Sequence, residues 1–345
     1  MPVTPNPDKR VAQLIDANLD RAREGLRVIE DWCRYVLQNQ ALVITIKDFR
    51  QQLGLAHKNI YKRARSTVAD QGLGLTHSAQ QSRTKPIQVV IANCARVQEA
   101  LRVVEEFSRH TDSQLSIIAS QIRYKVYDLE INILKVSAVS KLRQQLNSCK
   151  LCLITRPHSK LLETVSTALD AGVSMVQYRC KEGDDIEKLS LGKSLALICK
   201  KYESLFIVND RIDIALALNA DGIHLGQRDL PVIEARRILG SEKLIGLSTS
   251  TFEEAKQAEL SGCDYIGIGP VYETNSKQGA KAIGLNYLSE IKDTISLPFF
   301  AIGGINQSNV SEVFSKGVSR IAVINAIMNA KDPYAASCDL LKSLI

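Results

Sequence analysis

The chain has 345 residues, 45% of them hydrophobic, and a formal net charge of +7, a length that exceeds one domain and points to two. No apolar stretch reaches the roughly 20 residues that cross a bilayer, and the start, broken by Pro2, Pro5, Pro7 and Asp8, lacks a secretory signal. These features exclude a membrane protein and lead us to expect a cytoplasmic one. The basic excess sits in front: residues 1–140 carry 20 Lys+Arg against 14 Asp+Glu, and the remainder 24 against 23. Such a charge suits anionic metabolites, and the lack of a Lys/Arg run interleaved with aromatics speaks against nucleic acid as a partner. Eight cysteines without regular spacing fit reduced thiols, and the CxxC at Cys149 and Cys152 has no partner pair to make a zinc or redox centre.

Residues 1–140 read as helical, and their informative feature is a duplication. Asn18, Arg21, Glu24, Leu26, Arg27, Val28, Glu30 and Arg34 return 75 residues later as Asn93, Arg96, Glu99, Leu101, Arg102, Val103, Glu105 and Arg109. In the first copy Ala22, Leu26, Ile29 and Cys33 form one apolar helical face, with Glu24, Arg27, Glu30 and Arg34 gathered opposite at spacings of three or four. Each copy is therefore an amphipathic helix. Two readings of the retained charges stand side by side: salt-bridged, solvated faces, or a pseudo-twofold anion site built by Arg21, Arg27, Arg96 and Arg102. Gly74, Thr76, His77 and the basic stretch Lys62–Arg65 lie between the copies and could contribute, although no P-loop occurs.

From His110 onward Ile117, Ile118, Ile122, Val126, Leu129 and Ile133 predict a further helix. A Ser/Gln/Asn-containing connection over Ser137–Cys149 should follow, which places the domain boundary between residues 140 and 141. After it come eight short apolar runs, Leu151–Thr155, Met175–Arg179, Leu205–Asn209, Gly222–Gly226, Leu244–Ser248, Tyr265–Pro270, Phe299–Gly304 and Arg320–Asn325. Amphipathic stretches such as Thr251–Leu260 and Ser308–Lys316 separate them. Strand then helix, eight times, predicts an α/β fold, a (β/α)8 TIM barrel behind a mostly helical domain.

In that fold the chemistry lies on the loops after the strands. The second run ends in Gln177 and continues to Lys181, an amide for a polar heterocycle edge and an ammonium for phosphate. Asn209 and Asp210 end the third run and Asp229 follows the fourth. Two carboxylates on adjacent loops are what Mg2+ needs when it shares its remaining positions with phosphate oxygens, although either aspartate alone could cap a helix. Ser248 ends the fifth run. Thr274, Ser276 and Lys277 form a phosphate clamp on a loop that Gly279 would hinge, and Gly303-Gly304 lets backbone approach a phosphate at the habitual phosphate site of such barrels. His224 lies within the fourth run and reads as structural. No Ser/His/Asp or Cys/His arrangement emerges, which argues against covalent acyl chemistry.

The ordered segments VQYRCK (176–181), VNDRIDIALALNADGIHLGQRDLP (208–231), GLSTST (246–251), IGPVYETNSK (268–277), AIGGI (301–305) and IAVINAI (321–327) resemble those of the thiamine phosphate synthase (thiamine-phosphate pyrophosphorylase) family from about Lys150 to Ile327. The resemblance implies a transferase that joins 4-amino-2-methyl-5-(diphosphooxymethyl)pyrimidine to 4-methyl-5-(2-phosphooxyethyl)thiazole with loss of diphosphate. Carried over by motif, the stretch Gln177, Tyr178, Arg179, Cys180 and Lys181, with Asn209, Ser248 and Lys277, would hold the pyrimidine diphosphate. Asp210 and Asp229 would hold Mg2+. Thr274, Asn275, Ser276, Gly304, Ile324 and Asn325 would hold the thiazole phosphate, and Lys181, Ser248 and Lys277 would be catalytic. Three departures bear on affinity: Cys180 where an acidic residue is usual, Asn275-Ser276 for Pro-Thr, and Asn325 for Ser.

The front domain resembles the N-terminal extension of this synthase in cyanobacteria-like sequences. A similar small domain has been linked to phosphorylation of hydroxymethylpyrimidine phosphate. Two alternatives remain beside the synthase: a thiazole tautomerase-like isomerase, which would not need Asp210, Asp229 and Lys277 together, and a non-catalytic regulator that binds thiamine precursors. Oligomeric state, a homo-oligomer included, stays open.

Overall fold

Apolar residues spaced three and four apart favour helices that bury one stripe each, and the front of the chain is built this way. The computed structural model describes residues 8–66, 83–274 and 281–343. It divides into two compact units, Met1–Ser137 and Ala138–Ile345. The first contains α1 (Lys9–Asp31), α2 (Gln40–Ala56), α3 (Asn59–Lys62), α4 (Pro86–Ser108) and the start of α5 (Ser113–Ser148). Side-chain caps start two of these helices: the Asp8 carboxylate accepts from the Arg10 N–H at 2.8 Å, and the Asn39 amide oxygen from the Leu42 N–H at 3.1 Å.

The two copies of the repeat are α1 and α4, packed against each other through Ala22, Leu26, Ile29, Val97, Leu101 and Val104. Gly25 permits the approach, since a Cβ there would lie 2.6 Å from Val97 Cγ2. One expectation needs correction. Helical spacing puts Glu30 on the polar face, yet it is fully buried, because the flank of that face is covered by α2, whose Arg50 pairs with it. Its repeat partner Glu105 is likewise buried and accepts from Arg123 Nε at 3.1 Å and Nη2 at 2.9 Å. The duplication thus extends to the following helices, α2 and α5. Arg27 and Arg102 stay about half exposed and pair with Asp31 and Glu106 of their own helices at 3.1 and 2.8 Å, and each also reaches the buried glutamate, at 3.8 Å for Glu30 and 3.2 Å for Glu105. Gly74, Thr76 and His77 lie outside the described residues, while Arg65 pairs with Asp16 and Asp20.

A buried ion that loses its partner is costly, whereas an exposed pair contributes little. Arg123 donates to Glu105 Oε2, while Arg102 and Arg109 reach Oε1. Arg123→Ala is therefore expected to destabilise the front unit by about 1–3 kcal/mol, and Arg102→Ala, which leaves two guanidinium partners in place, by less than about 1 kcal/mol. Denaturant unfolding followed by circular dichroism checks the contrast; equal effects would mean that Glu105 is not held by Arg123.

The anticipated connection over Ser137–Cys149 is instead helical through Ser148. The stretch has neither Pro nor Gly to break the helix. Leu142 and Leu146, four apart, also give it an apolar stripe to bury. Leu146 and Cys149 pack with Cys152, Met175, Leu205, Leu244, Tyr265 and Phe300, residues at the first or second positions of the strands, so they plug the amino-terminal mouth of the barrel.

The strands are β1 (Leu151–Ile154), β2 (Met175–Tyr178), β3 (Leu205–Asn209), β4 (Gly222–Leu225), β5 (Leu244–Thr249), β6 (Tyr265–Ile268), β7 (Phe299–Ile302) and β8 (Ile321–Val323). All pair in parallel with their sequence neighbours, and β1 with β8 closes the barrel. The helices that follow are α6 (Leu161–Asp170), α7 (Asp185–Lys201), α8 (Ile212–Ala217), α9 (Val232–Leu239), α10 (Phe252–Ser261), α11 (Leu285–Thr294), α12 (Val310–Ser315), α13 (Asn325–Met328) and α14 (Pro333–Lys342). Their apolar stripes and the outward residues of the strands form the main core. Among the described residues no helix is long and apolar enough to cross a membrane.

Candidate active site

The carboxyl ends of the strands open into a cavity of about 900 Å3. Its lining includes Gln177, Arg179, Lys181, Asn209, Asp210, Asp229, Ser248, Thr274, Gly304, Ile324 and Asn325. With Ile154 at the end of β1, residues from all eight strand ends converge, although they are up to about 170 positions apart in the chain.

The period of two along a strand decides which members of the stretch after β2 take part. Gln177 is buried and faces the cavity, and Arg179 and Lys181 continue on the same side. Tyr178 and Cys180 do not join them. The Tyr178 hydroxyl donates to the Lys188 carbonyl of α7 at 3.0 Å, and Cys180 Sγ to the Glu182 carbonyl at 3.2 Å. Both line a second cleft of about 530 Å3 with Arg156 to Glu163 and Leu191, and Arg179 borders this cleft as well as the cavity.

Asp210 follows β3 in a left-handed conformation, φ 63°, which aspartate tolerates better than most residues. Its N–H donates to the His224 carbonyl at 2.9 Å, tying the turn to β4. Its carboxyl meets that of Asp229, whose Oδ2 accepts from the Gly226 N–H at 2.6 Å. Burial, and then the neighbouring Asp229, push the Asp210 carboxyl up to about 6, against the pull of Lys181 and Arg179. Two acceptor groups in contact must share a proton or take a cation between them. The pair therefore suits a hard divalent ion completed by phosphate oxygens and waters. Among the described residues no group of three or more His, Cys, Asp and Glu could hold a metal, so such an ion would draw on just these two carboxylates.

Opposite lies a glycine-lined wall. Gly303 and Gly304 have φ of 102° and 70°, and a Cβ on Gly304 would lie 2.6 Å from Tyr272 Cβ. The amides of Asn306 and Asn309 donate to the Gly304 carbonyl at 3.2 and 2.9 Å and hold this turn. Asn325 begins α13, and its side-chain oxygen accepts from Arg156 Nη1 at 3.1 Å. Asn275, Ser276, Lys277 and Gly279 lie outside the described residues.

Several cavity residues went unrecognised in the sequence. Gln227 and Arg228 line it from the loop after β4, and the Gln227 amide donates to the Ser248 carbonyl at 2.7 Å. Glu254 lines it from the first turn of α10 and accepts from the N–H and hydroxyl of Ser250 at 2.6 and 3.0 Å. Their position just after strands was the available signal, since any polar residue there is a candidate in a barrel of this kind.

Residues 151–327 match the family described as thiamine monophosphate synthase, and residues 13–132 match the ThiD2 family. The chain is 58% identical over 344 residues to a thiamine-phosphate synthase of Prochlorococcus marinus, covering 100% of this chain and 99% of that one. It is 51% identical over 349 residues to the protein of the same name from Synechococcus sp., again covering 100% and 99%. The solved structure of thiamine phosphate pyrophosphorylase from Pyrococcus furiosus superposes with a TM-score of 0.54 at 40% identity, covering 59% of this chain and 97% of that one.

Proposed function

The chain belongs to the thiamine monophosphate synthase family, and from that premise we propose that the cavity above β1–β8 is where it joins the aminopyrimidine methyl diphosphate to the thiazole phosphate. The observation that carries this reading is the Asp210–Asp229 contact set beside Arg179 and Lys181 in one cavity. Such an arrangement serves a diphosphate leaving group rather than an isomerisation.

In this reading Gln177 and Asn209 hold the pyrimidine through their amides, with Ser248 beside them. Arg179, Lys181 and Lys277 meet the diphosphate. Gly304, Thr274, Asn275, Ser276 and the Ile324-Asn325 turn hold the thiazole phosphate. Asp210 and Asp229 would bind Mg2+, which supplies neutralisation of the diphosphate charge. The CH2–O bond breaks with its electron pair leaving on the diphosphate, and the thiazole nitrogen forms the new C–N bond with its own lone pair. No protein base is needed, so positioning and fixed positive charge carry the rate. That agrees with a cavity rich in phosphate partners.

A cytoplasmic location belongs to the same reading and is supported by eight free cysteines. The front unit would serve the pyrimidine branch of the pathway, as its match to the ThiD2 family supports. Supplying both phosphates and Mg2+ should give thiamine phosphate and diphosphate in equal amounts. Isomerised thiazole without diphosphate would favour the tautomerase alternative, and no conversion would favour a regulator.

The Asp210 carboxyl, pushed up to about 6, has a stated pH consequence. Its pKa in the fold lies above the 3.8 of a free aspartate, so its contribution to stability is full below 3.8 and is lost as pH rises through about 6. A cation at the pair offsets that loss. Mg2+ should therefore raise Tm more at pH 7 than at pH 5, and its apparent Kd should be about fourfold weaker at pH 5.5 than at pH 7, because protons compete for the site. Melting curves with and without Mg2+ check this, with Asp210→Asn expected to remove the difference.

A further inference from the structure

Side chains inside a barrel this narrow compete for space, so glycines on neighbouring strands mark where a large interior group is accommodated. His224 on β4 is such a group. It is paired in register with Gly246 on β5, which is paired in turn with Tyr265 on β6, and Ser248 is paired with Gly267. A Cβ at Gly246 would lie 2.2 Å from Tyr265 Cζ and 2.6 Å from His224 Nδ1, and one at Gly267 would lie 3.3 Å from His224 Cε1. Two side chains are thus left out to seat the His224 and Tyr265 rings, whose centroids are 5.5 Å apart.

The seated pair forms a chain of hydrogen bonds directed at the cavity. His224 Nδ1 is 3.2 Å from the Tyr265 hydroxyl, and His224 Nε2 is 2.9 Å from Ser248 Oγ. Tyr265 is 2% exposed, and burial holds its phenol well above the usual tyrosine range, so it keeps its proton. A buried hydrogen without an acceptor costs more than a spare lone pair. Among the described residues the hydroxyl's hydrogen-bond partner is His224 Nδ1, which makes Tyr265 the donor there. The remaining imidazole proton then sits on Nε2 and is given to Ser248 Oγ, and the Ser248 hydrogen is left for an acceptor in the cavity.

We propose that His224 is a positioning residue for the synthase reaction, relaying the hydrogen bond of Tyr265 so that the Ser248 hydroxyl presents its proton to the pyrimidine. The inference rests on the reading that Ser248 meets the pyrimidine substrate. It gives a functional reason for a polar ring where other barrel interiors carry aliphatic side chains, and it assigns Tyr265 the matching role of fixing the tautomer.

The test is a double-mutant cycle on kcat at saturating substrates, with Tm measured in parallel. Ser248→Ala should lower kcat by about 10². His224→Asn, which lacks a donor at the Nε2 position, should approach that loss, and the double variant should be no more than about twofold worse than Ser248→Ala alone. His224→Gln, whose amide reaches the Nε2 position, should recover to within about fivefold of wild type. If the His224 variants do not fold, Tyr265→Phe keeps the ring and removes only the hydroxyl; it should lower kcat several-fold in wild type and leave Ser248→Ala unchanged. Losses that multiply, or a wild-type kcat in His224→Asn or Tyr265→Phe, would overturn the relay. A wild-type kcat in Ser248→Ala would overturn instead the assignment of Ser248 to the substrate.

Discussion

Asp210→Ala or Asp229→Ala is expected to lower turnover by on the order of 10²–10³ while the barrel stays folded. Both carboxylates lie in loops after the strands, and neither belongs to the apolar clusters that hold the barrel together. Removing one leaves the other alone, so the charge pair that would bind a cation is lost. The Asp229 variant also removes the second cause of the raised Asp210 carboxyl, after burial. Steady-state kinetics across a range of Mg2+ concentrations, with circular dichroism of each variant, separate lost metal affinity from lost structure. Wild-type turnover of both variants at limiting Mg2+ would show that the pair does not serve the metal.

The second large effect concerns neighbours in sequence that the period of two sends to opposite sides. Lys181→Ala should cost about 10² or more in kcat, because it removes a cation that meets the leaving diphosphate. Cys180→Ala should change kcat by no more than about threefold, since its thiol meets the Glu182 carbonyl and Tyr178 outside the cavity. Parallel kinetics of the two variants decide the matter. Equal damage would mean that the loop after β2 reorganises on binding and that its strand-like alternation does not persist.

Much of the fold was legible because its signals are local. Seven of the eight runs begin at the observed strand starts, as Leu151, Met175 and Leu205 illustrate, since fully buried parallel strands read as short unbroken apolar segments. Six of their ends were drawn too long, at Arg179 and Asn325 for instance, because the polar tips leave the ladder to reach into the cavity. The candidate site was legible through a rule of the fold, since residues at the strand ends line one cavity. Tyr178 and Cys180 lie outside that cavity, a difference that a motif taken as a block conceals.

Other features depend on partners that no local pattern announces. Glu30 lies on a helix flank that only the packing of Arg50 from α2 reveals as interior. The helical course of Ser137–Ser148 depends on Leu146 filling the mouth of the barrel. Polar composition there resembles a linker, and two leucines decide otherwise. The place of His224 within a strand suggests a structural role alone, whereas its neighbours Ser248 and Tyr265 come from two other strands and give it a direction.

The most direct measurement of the central claim is a crystal structure of the full chain with Mg2+, diphosphate and thiamine phosphate. The account predicts the ion between Asp210 and Asp229, the diphosphate against Arg179 and Lys181, and the product phosphate at Gly304 and Asn325. Ligands seated in the cleft beside Cys180 and Arg156, or a diphosphate without an ion at the two carboxylates, would contradict it.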